Sequence, residues 1–322
     1  MIKMKIIDNN KLLDDCKLSK DIIFLDIEAT GFSPKKDSIV GFSCASHFSQ
    51  NKARFTQYFS FEEKAVIEKL LEALIGKNEI VTFSGDKFEF KFIESKLEKY
   101  DINFSFKDFI LTDIQKSFKV FSKYFDLKEN NRAYIENKFN LNKKNSYDMN
   151  SIARVLKFKP KNKKTKDKNQ ADEILFEKQS IDVDDIRGQA LLELSKHSEE
   201  EIITLIALYD VLDNFKCSHS LEIKKNTHLI LDEYDLIGDR LQLVFRADSY
   251  HKKAVYYNAD FSEISIYKNR IIFTLYIKKI SAYDCLSIAY ETDCGYIPLI
   301  IDNEIIFENI NYLISKYKDY FV

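Results

Sequence analysis

Phe24-Leu25-Asp26-Ile27-Glu28-Ala29-Thr30-Gly31 decides how the rest of this chain is read. Ile22 to Ile27 is an apolar run broken only by Asp26, the pattern of a buried strand, and Glu28 follows at its end. Side chains alternate along a strand, so Asp26 and Glu28 share one face. A carboxylate among buried apolar residues is costly unless a cation compensates it. Two on one face suggest a divalent metal ion held by oxygen ligands. The plainer alternative is a strand that ends at Asp26, with both acids solvated at its edge. The stretch by itself leaves both open.

Working outward, a turn over residues 31–37 leads to two short strands read at 38–45 and 54–61, rich in β-branched and aromatic residues. With the opening strand they form an antiparallel meander. Val66, Leu70, Leu71 and Leu74 give a helical period over 61–75, closed by Gly76-Lys77-Asn78. A strand at 79–83 turns through Ser84-Gly85-Asp86 into a helix at 87–100. A strand at 106–111, a helix to Phe125 and a long helix at 190–215 follow. This order predicts an α/β fold, a mixed five-stranded sheet with flanking helices.

Residues 130–145 read as loop with a short helix, and 149–156 as helical. Between Lys157 and Lys168 stand seven lysines and one acid, so 157–170 is expected to be a mobile loop. From residue 218 the pattern shifts to short alternating segments at 240–247, 253–258, 263–267, 271–278 and 285–290, with a hairpin read around Lys268-Asn269-Arg270 and a closing helix at 308–321. The expected domains are 1–217 and a smaller, mostly-β domain at 218–322 whose function the sequence does not reveal. A length of 322 residues suits two domains at ~150 residues each.

Composition excludes several classes. A net charge of −2 gives no global basic field to announce a nucleic-acid partner. The five cysteines are scattered without CxxC pairs, which argues against zinc and against a disulfide framework. Neither a signal peptide nor an 18-residue apolar segment is evident, so the reading is cytoplasmic, with no membrane span.

Two further acids matter. Glu89 lies at the start of the helix after Thr82-Phe83-Ser84-Gly85-Asp86-Lys87-Phe88, where ordinary helix capping would also explain it. His197 and Glu201 interrupt an apolar stripe of Leu194, Leu205, Leu208 and Leu212, where a structural His–Glu pair is the alternative. Asp26, Glu28, Glu89 and Glu201 in one pocket could not all stay ionised without cations. Two Mg²⁺ or Mn²⁺ ions about 4 Å apart would hold them, and that is the apparatus for in-line displacement at phosphorus.

The stretch FLDIEATGFSP (24–34) resembles the first motif of the DnaQ-like, DEDD-type exonucleases of the ribonuclease H-like superfamily. TFSGDKFEFKFI (82–93) resembles their second motif, in the form used by the YprB-like exonuclease branch, and HSEEEIITLIALYDVL (197–212) is similar to that branch's closing helix. The resemblance covers residues 18–215 and implies a ribonuclease H-like fold for 1–217. It places Asp26 and Glu28 at the first acid pair, Glu89 and Glu201 where the family has aspartates, and Ser84 where it often has asparagine. His197 stands four residues before Glu201, the spacing of the tyrosine subtype, while the histidine subtype's position is occupied by Lys196. By chemistry His197 is the general base. Thr30, Gly31 and Phe32 match positions that contact the terminal nucleotide.

The expected function is a two-metal 3′→5′ exonuclease acting on single-stranded DNA or RNA ends. The rival is a catalytically weak or inactive module of the same fold that binds nucleic acid or a protein partner. In either case residues 218–322 could serve a protein partner or self-association.

Overall fold

A computed structural model of the chain describes residues 7–14, 18, 20–49, 51–122, 124–141, 152, 155–156, 183–224, 227–259, 262–282, 285–302 and 304–317. The lysine-rich stretch 157–170 lies outside them. The described residues form the expected α/β architecture, with a separate, mostly-β sheet toward the C-terminus. Two compact units result: Met1–Ile114 with Glu136–Leu208, and Gln115–Ile135 with Tyr209–Val322. Among the described residues no helix is long and apolar enough to cross a membrane.

The first unit is built on strands β1 (Ile7–Asp14), β2 (Ile22–Ala29), β3 (Ile39–Ser49), β4 (Lys52–Phe59), β5 (Glu79–Thr82) and β6 (Ile110–Asp113). Helix α1 (Glu63–Leu74) connects β4 to β5, and α2 (Glu89–Lys99) connects β5 to β6. Along the chain then come α3 (Ile114–Val120), which after Ile114 belongs to the second unit, α4 (Arg132–Lys138), and the long α5 (Val183–Ser218), of which the residues up to Leu208 belong to the first unit. The spatial order is β1-β4-β3-β2-β5-β6. β2, β3, β4 and β1 pair antiparallel, while β5 and β6 join parallel to β2, which is why each of those joins needs a helical crossover.

The sheet therefore has six strands rather than five. β1 pairs with β4 along its whole length, from Ile7↔Phe59 to Asp14↔Lys52. Five of its eight residues are polar (Asp8, Asn9, Asn10, Lys11, Asp14), so it carries no strong alternation. An edge strand held by main-chain hydrogen bonds does not need one.

Period-two alternation, interrupted at Val40 by the register slip between Gly41 and Ile39, splits the sheet's side chains between two cores. Ile23, Leu25, Ile27 and Phe42 pack with Val66, Ile67 and Leu70 of α1 and Phe92 and Ile93 of α2. On the other face Val40 and Phe59 pack with Leu191 and Leu194 of α5. Each such side chain contributes about 1.5–3 kcal/mol on full burial, which fixes β2 between two apolar layers. The loop after β2 is pinned to α2 by Lys96 Nζ, which donates to the Asp37 carbonyl, and by Ser95 Oγ, which donates to the Pro34 carbonyl at 3.2 Å. Buried Glu63, at the start of α1, accepts from the Ile39 N–H at 2.8 Å and from Tyr100 Oη at 2.8 Å. Burial pushes its carboxyl up, but hydrogen bonds from Lys99, Tyr100 and Ile39, with Lys96 alongside, outweigh that and hold it below the usual range.

The second sheet runs β13-β12-β11-β10-β9-β8-β7, with every neighbour antiparallel. Its strands are β7 (Leu221–Lys224), β8 (Thr227–Ile237), β9 (Arg240–Ala259), β10 (Ser262–Ala282), β11 (Cys285–Thr292), β12 (Gly295–Ile301) and β13 (Glu304–Ile305), followed by α6 (Phe307–Ser315). The hairpin expected at Lys268-Asn269-Arg270 is not there. β10 runs straight through those residues, pairing Lys268 with His251 and Arg270 with Arg246 across register shifts. Asn269 is followed by arginine, not by the glycine a tight two-residue turn favours, and the break in alternation is a bulge. The segments read at 240–247 and 253–258 are one strand, as are those at 263–267 and 271–278.

Candidate functional site

Because Ile23, Leu25 and Ile27 belong to the core under α1 and α2, alternation turns Asp26 and Glu28 to the α5 face of the sheet. Glu28 is buried and Asp26 is half-buried. The two acids therefore share a covered face rather than a solvated edge. Immediately after Glu28 the β2–β3 register slips, from Glu28↔Gly41 to Ala29↔Ile39. Bulges of this kind re-aim side chains at strand ends.

Gly41, opposite Glu28, has no room for a side chain. A Cβ there would lie 2.1 Å from Cδ1 of the buried Phe59 ring. Gly41→Ala is therefore expected to destabilise the protein by about 1–3 kcal/mol, read as a lower denaturant midpoint with an unchanged slope. An unshifted midpoint would mean that the ring can move aside.

The parallel pairing of β2, β5 and β6 sets their C-terminal ends side by side. Phe24 is opposite Val81, and Thr82 is opposite Asp113. Asp26 and Glu28, the turn after Thr82, and Asp113 thus end on one edge of the sheet. In that turn Ser84 adopts a left-handed φ of 69°, and its N–H donates to Asp113 Oδ1 at 2.9 Å. Asparagine tolerates this conformation better than serine does, which gives a backbone reason for the residue the resemblance leads one to expect. Gly85 follows because a Cβ would meet Thr82 Oγ1 at 2.1 Å. The tight turn delivers the chain into α2, whose first residue is Glu89, 4% exposed.

From the opposite side α5 lays buried Ser195 and Ser198 against the sheet. Ser198 Oγ lies 2.9 Å from Asp26 Oδ2, so residues 172 positions apart meet directly. Three residues further along α5, buried Glu201 has Oε1 3.3 Å from His197 Nε2. Lys196, at the histidine subtype's position, is exposed, whereas His197 is largely covered.

Thr30 is 8% exposed, with its N–H donating to the Ser38 carbonyl at 2.9 Å and its Oγ1 accepting from the Ser38 N–H at 3.0 Å, which closes the 31–37 loop. Gly31 sits in the bend that follows. Phe32 is 90% exposed, its ring edge-on to Phe88 with centroids 6.3 Å apart. A large aromatic left in solvent beside a sheet edge offers a stacking face.

Among the described residues, no three His, Cys, Asp or Glu side chains stand close enough together to make a ready metal centre. The structure brings His197 to Glu201 and ties Asp26 to the same helix, while Glu28 and Glu89 lie at the same C-terminal end of the sheet. The donor set itself suits hard divalent cations, which take carboxylate oxygens. Three of the four acids, Glu28, Glu89 and Glu201, are buried at 8%, 4% and 6% exposure, an arrangement costly for carboxylates in the absence of a cation.

Several residues here escaped the sequence reading. Ser43 and Gln57 of the sheet form a polar row with Ser198 of α5, and Asp113 holds the Ser84 turn. Buried Glu136 of α4 accepts from Thr204 Oγ1 at 3.0 Å, one helical turn beyond Glu201. Ser195 and Ser198, spaced i, i+3 on an apolar stripe, were the available signal.

A family model described as RNase_H superfamily matches residues 23–213, more than half of the chain. The chain belongs to the RNase_H superfamily. The matched span begins within β2 and ends within α5, so it includes every acid of the candidate site. A comparison with curated proteins gave no match. Ribonuclease H-like proteins are commonly nucleases, generally use divalent metal ions and bind nucleic acid.

Proposed function

We propose that this RNase_H-superfamily chain is a 3′→5′ exonuclease of the DnaQ-like, DEDD type, closest to the YprB-like branch. It would shorten single-stranded DNA or RNA from the 3′ end. What supports the reading most is the Asp26–Ser198 hydrogen bond, because it joins the first and last of the three motifs that the resemblance rests on.

In this reading Asp26, Glu28, Glu89 and Glu201 hold two Mg²⁺ or Mn²⁺ ions. When bound, such ions supply a water of lowered pKa and neutralise charge at the reacting phosphate. The chain's own residues do the rest. His197 accepts the proton of the attacking water, with Glu201 beside it to stabilise the imidazolium that results. Phe32 stacks on the terminal base, Thr30 and Gly31 shape the loop that receives the sugar, and the Ser84 turn flanks it. Glu in place of Asp at 89 and 201 lengthens each side chain by a methylene, on a scale of ~1 Å to which catalytic geometry is sensitive. The same proposal assigns residues 1–217 to the nuclease domain and 218–322 to substrate choice, a protein partner or self-association. It places the protein in the cytoplasm.

The test is an assay on 5′-labelled single-stranded DNA and RNA with Mg²⁺ or Mn²⁺. A ladder of products shortened from the 3′ end is expected, and intact substrate with both ions would overturn the activity. The second reading, a binding module without turnover, draws on the absence of a gathered acid trio among the described residues. It predicts gel-shift affinity for the same oligonucleotides and Mn²⁺ uptake that Glu28→Gln leaves unchanged in a calorimetric titration.

A further inference from the structure

Across the α5 face of the sheet runs a row of buried polar residues in register. Asp26 of β2 is opposite Ser43 of β3, and Ser43 is opposite Gln57 of β4. Ser43 and Ser198 are fully buried, and Gln57 is 2% exposed. Gln57 Nε2 lies 2.9 Å from Ser43 Oγ and 2.6 Å from the Ser195 carbonyl of α5. Ser198 Oγ lies 2.8 Å from Ser43 Oγ and 2.9 Å from Asp26 Oδ2.

Counting protons gives this row a direction. An ionised carboxylate only accepts, and a serine hydroxyl has one proton to donate. Ser198 must therefore give its proton to Asp26, Ser43 must give its own to Ser198, and the Gln57 amide supplies the donor that Ser43 accepts. Gln57 uses its second N–H on the Ser195 carbonyl. Every donor is used once, and the chain ends on the carboxylate.

A row built only to hold α5 to the sheet would be served by apolar residues, as the neighbouring Phe59, Leu191 and Leu194 are. Burying two hydroxyls and an amide instead is tolerated only because each is fully bonded. We propose that Ser198, backed by Ser43 and Gln57, is a positioning residue that fixes Oδ2 of Asp26 and so presets the carboxylate for a divalent cation. Ser198, Ser43 and Gln57 are uncharged, so they orient Asp26 without themselves bringing in a cation that would compete with the metal. Lys11 of β1 forms an ion pair with Glu199, the residue after Ser198, and braces the same turn of α5 from the far strand.

This inference rests on the proposed metal-binding role of Asp26. The test is a calorimetric Mn²⁺ titration of the full chain as wild type, Asp26→Asn, Ser198→Ala, Ser198→Thr and Ser43→Ala, with each variant's thermal midpoint recorded. Losing an oriented partner of a metal ligand lowers metal affinity on the order of 10- to 100-fold. Ser198→Ala should show that loss, Ser43→Ala a smaller one, and Ser198→Thr, which keeps the hydroxyl, should recover most of the affinity. If Asp26→Asn abolishes binding while Ser198→Ala binds like wild type, the positioning role is overturned and the site stands. A loss in Ser198→Ala that threonine does not restore, or that tracks the thermal midpoint, also overturns it. If wild type and Asp26→Asn bind alike, the metal site itself falls, and the positioning role falls with it.

Discussion

Asp26→Asn is expected to lower the turnover of the proposed exonuclease on the order of 10³-fold or more, with little change in stability. The asymmetry follows from the geometry. Asparagine keeps an oxygen that can accept the Ser198 hydroxyl, now at 2.9 Å from the carboxylate, so the contact with α5 survives. It removes the negative charge, and with it the ligand strength that the proposed site needs from Asp26. Initial rates on a 5′-labelled single strand, set beside the thermal midpoint, check both halves. Turnover within tenfold of wild type would show that Asp26 is a structural acid and that the metal site lies elsewhere.

Asp232→Asn should destabilise the second unit by about 3 kcal/mol or more, through charge rather than shape. Asp232 lies between two cations, with Oδ1 2.9 Å from Lys216 Nζ and Oδ2 3.7 Å from Arg246 Nε. Arg246 also reaches Asp213 at 2.6 Å and the Tyr209 hydroxyl at 3.2 Å. Lys216 is only 6% exposed, so neutralising Asp232 leaves a buried ammonium facing Ser117 at 3.5 Å and the Phe121 ring. Burial raises the Asp232 carboxyl, but Lys216 and Arg246 outweigh it and hold it below its usual value of 3.8. A group depressed on folding stabilises above its unfolded value and loses that contribution as the pH falls through the folded one. Urea unfolding should accordingly show the wild-type advantage near neutral pH, and the two proteins should converge in strong acid. A constant gap across that range would mean that packing is responsible.

The parts legible in the sequence were those set by local periodicity. β2, α1, α2 and α5 follow from apolar spacing, and the shared face of Asp26 and Glu28 follows from the strand's period alone. β1 was missed because main-chain pairing at a sheet edge asks little of side chains. The Lys268–Arg270 bulge was misread because a local break in alternation looks alike whether the strand turns or continues. Ser43 and Gln57 were invisible for a different reason, and the Ser195–Ser198 spacing marked Ser198 only as polar on a buried stripe. Their meaning lies in which strand residues stand opposite one another and which helix turn covers them, and neither is a property of any short stretch. Asp113 became visible only once the parallel register placed it beside the turn at Ser84.

The row Asp26–Ser43–Gln57 also has a consequence for how the sheet assembles. A slip of one residue between neighbouring strands sends every side chain to the opposite face. Were β3 displaced in that way, Ser43 would enter the apolar layer under α1 and α2, and Phe42 or Cys44 would face Ser198. Each polar group stranded by such an error costs about 1–3 kcal/mol. Correct pairing satisfies all of them together, whereas no single mispairing does. The polar row works as a checksum on strand register, read out only when α5 closes over the sheet.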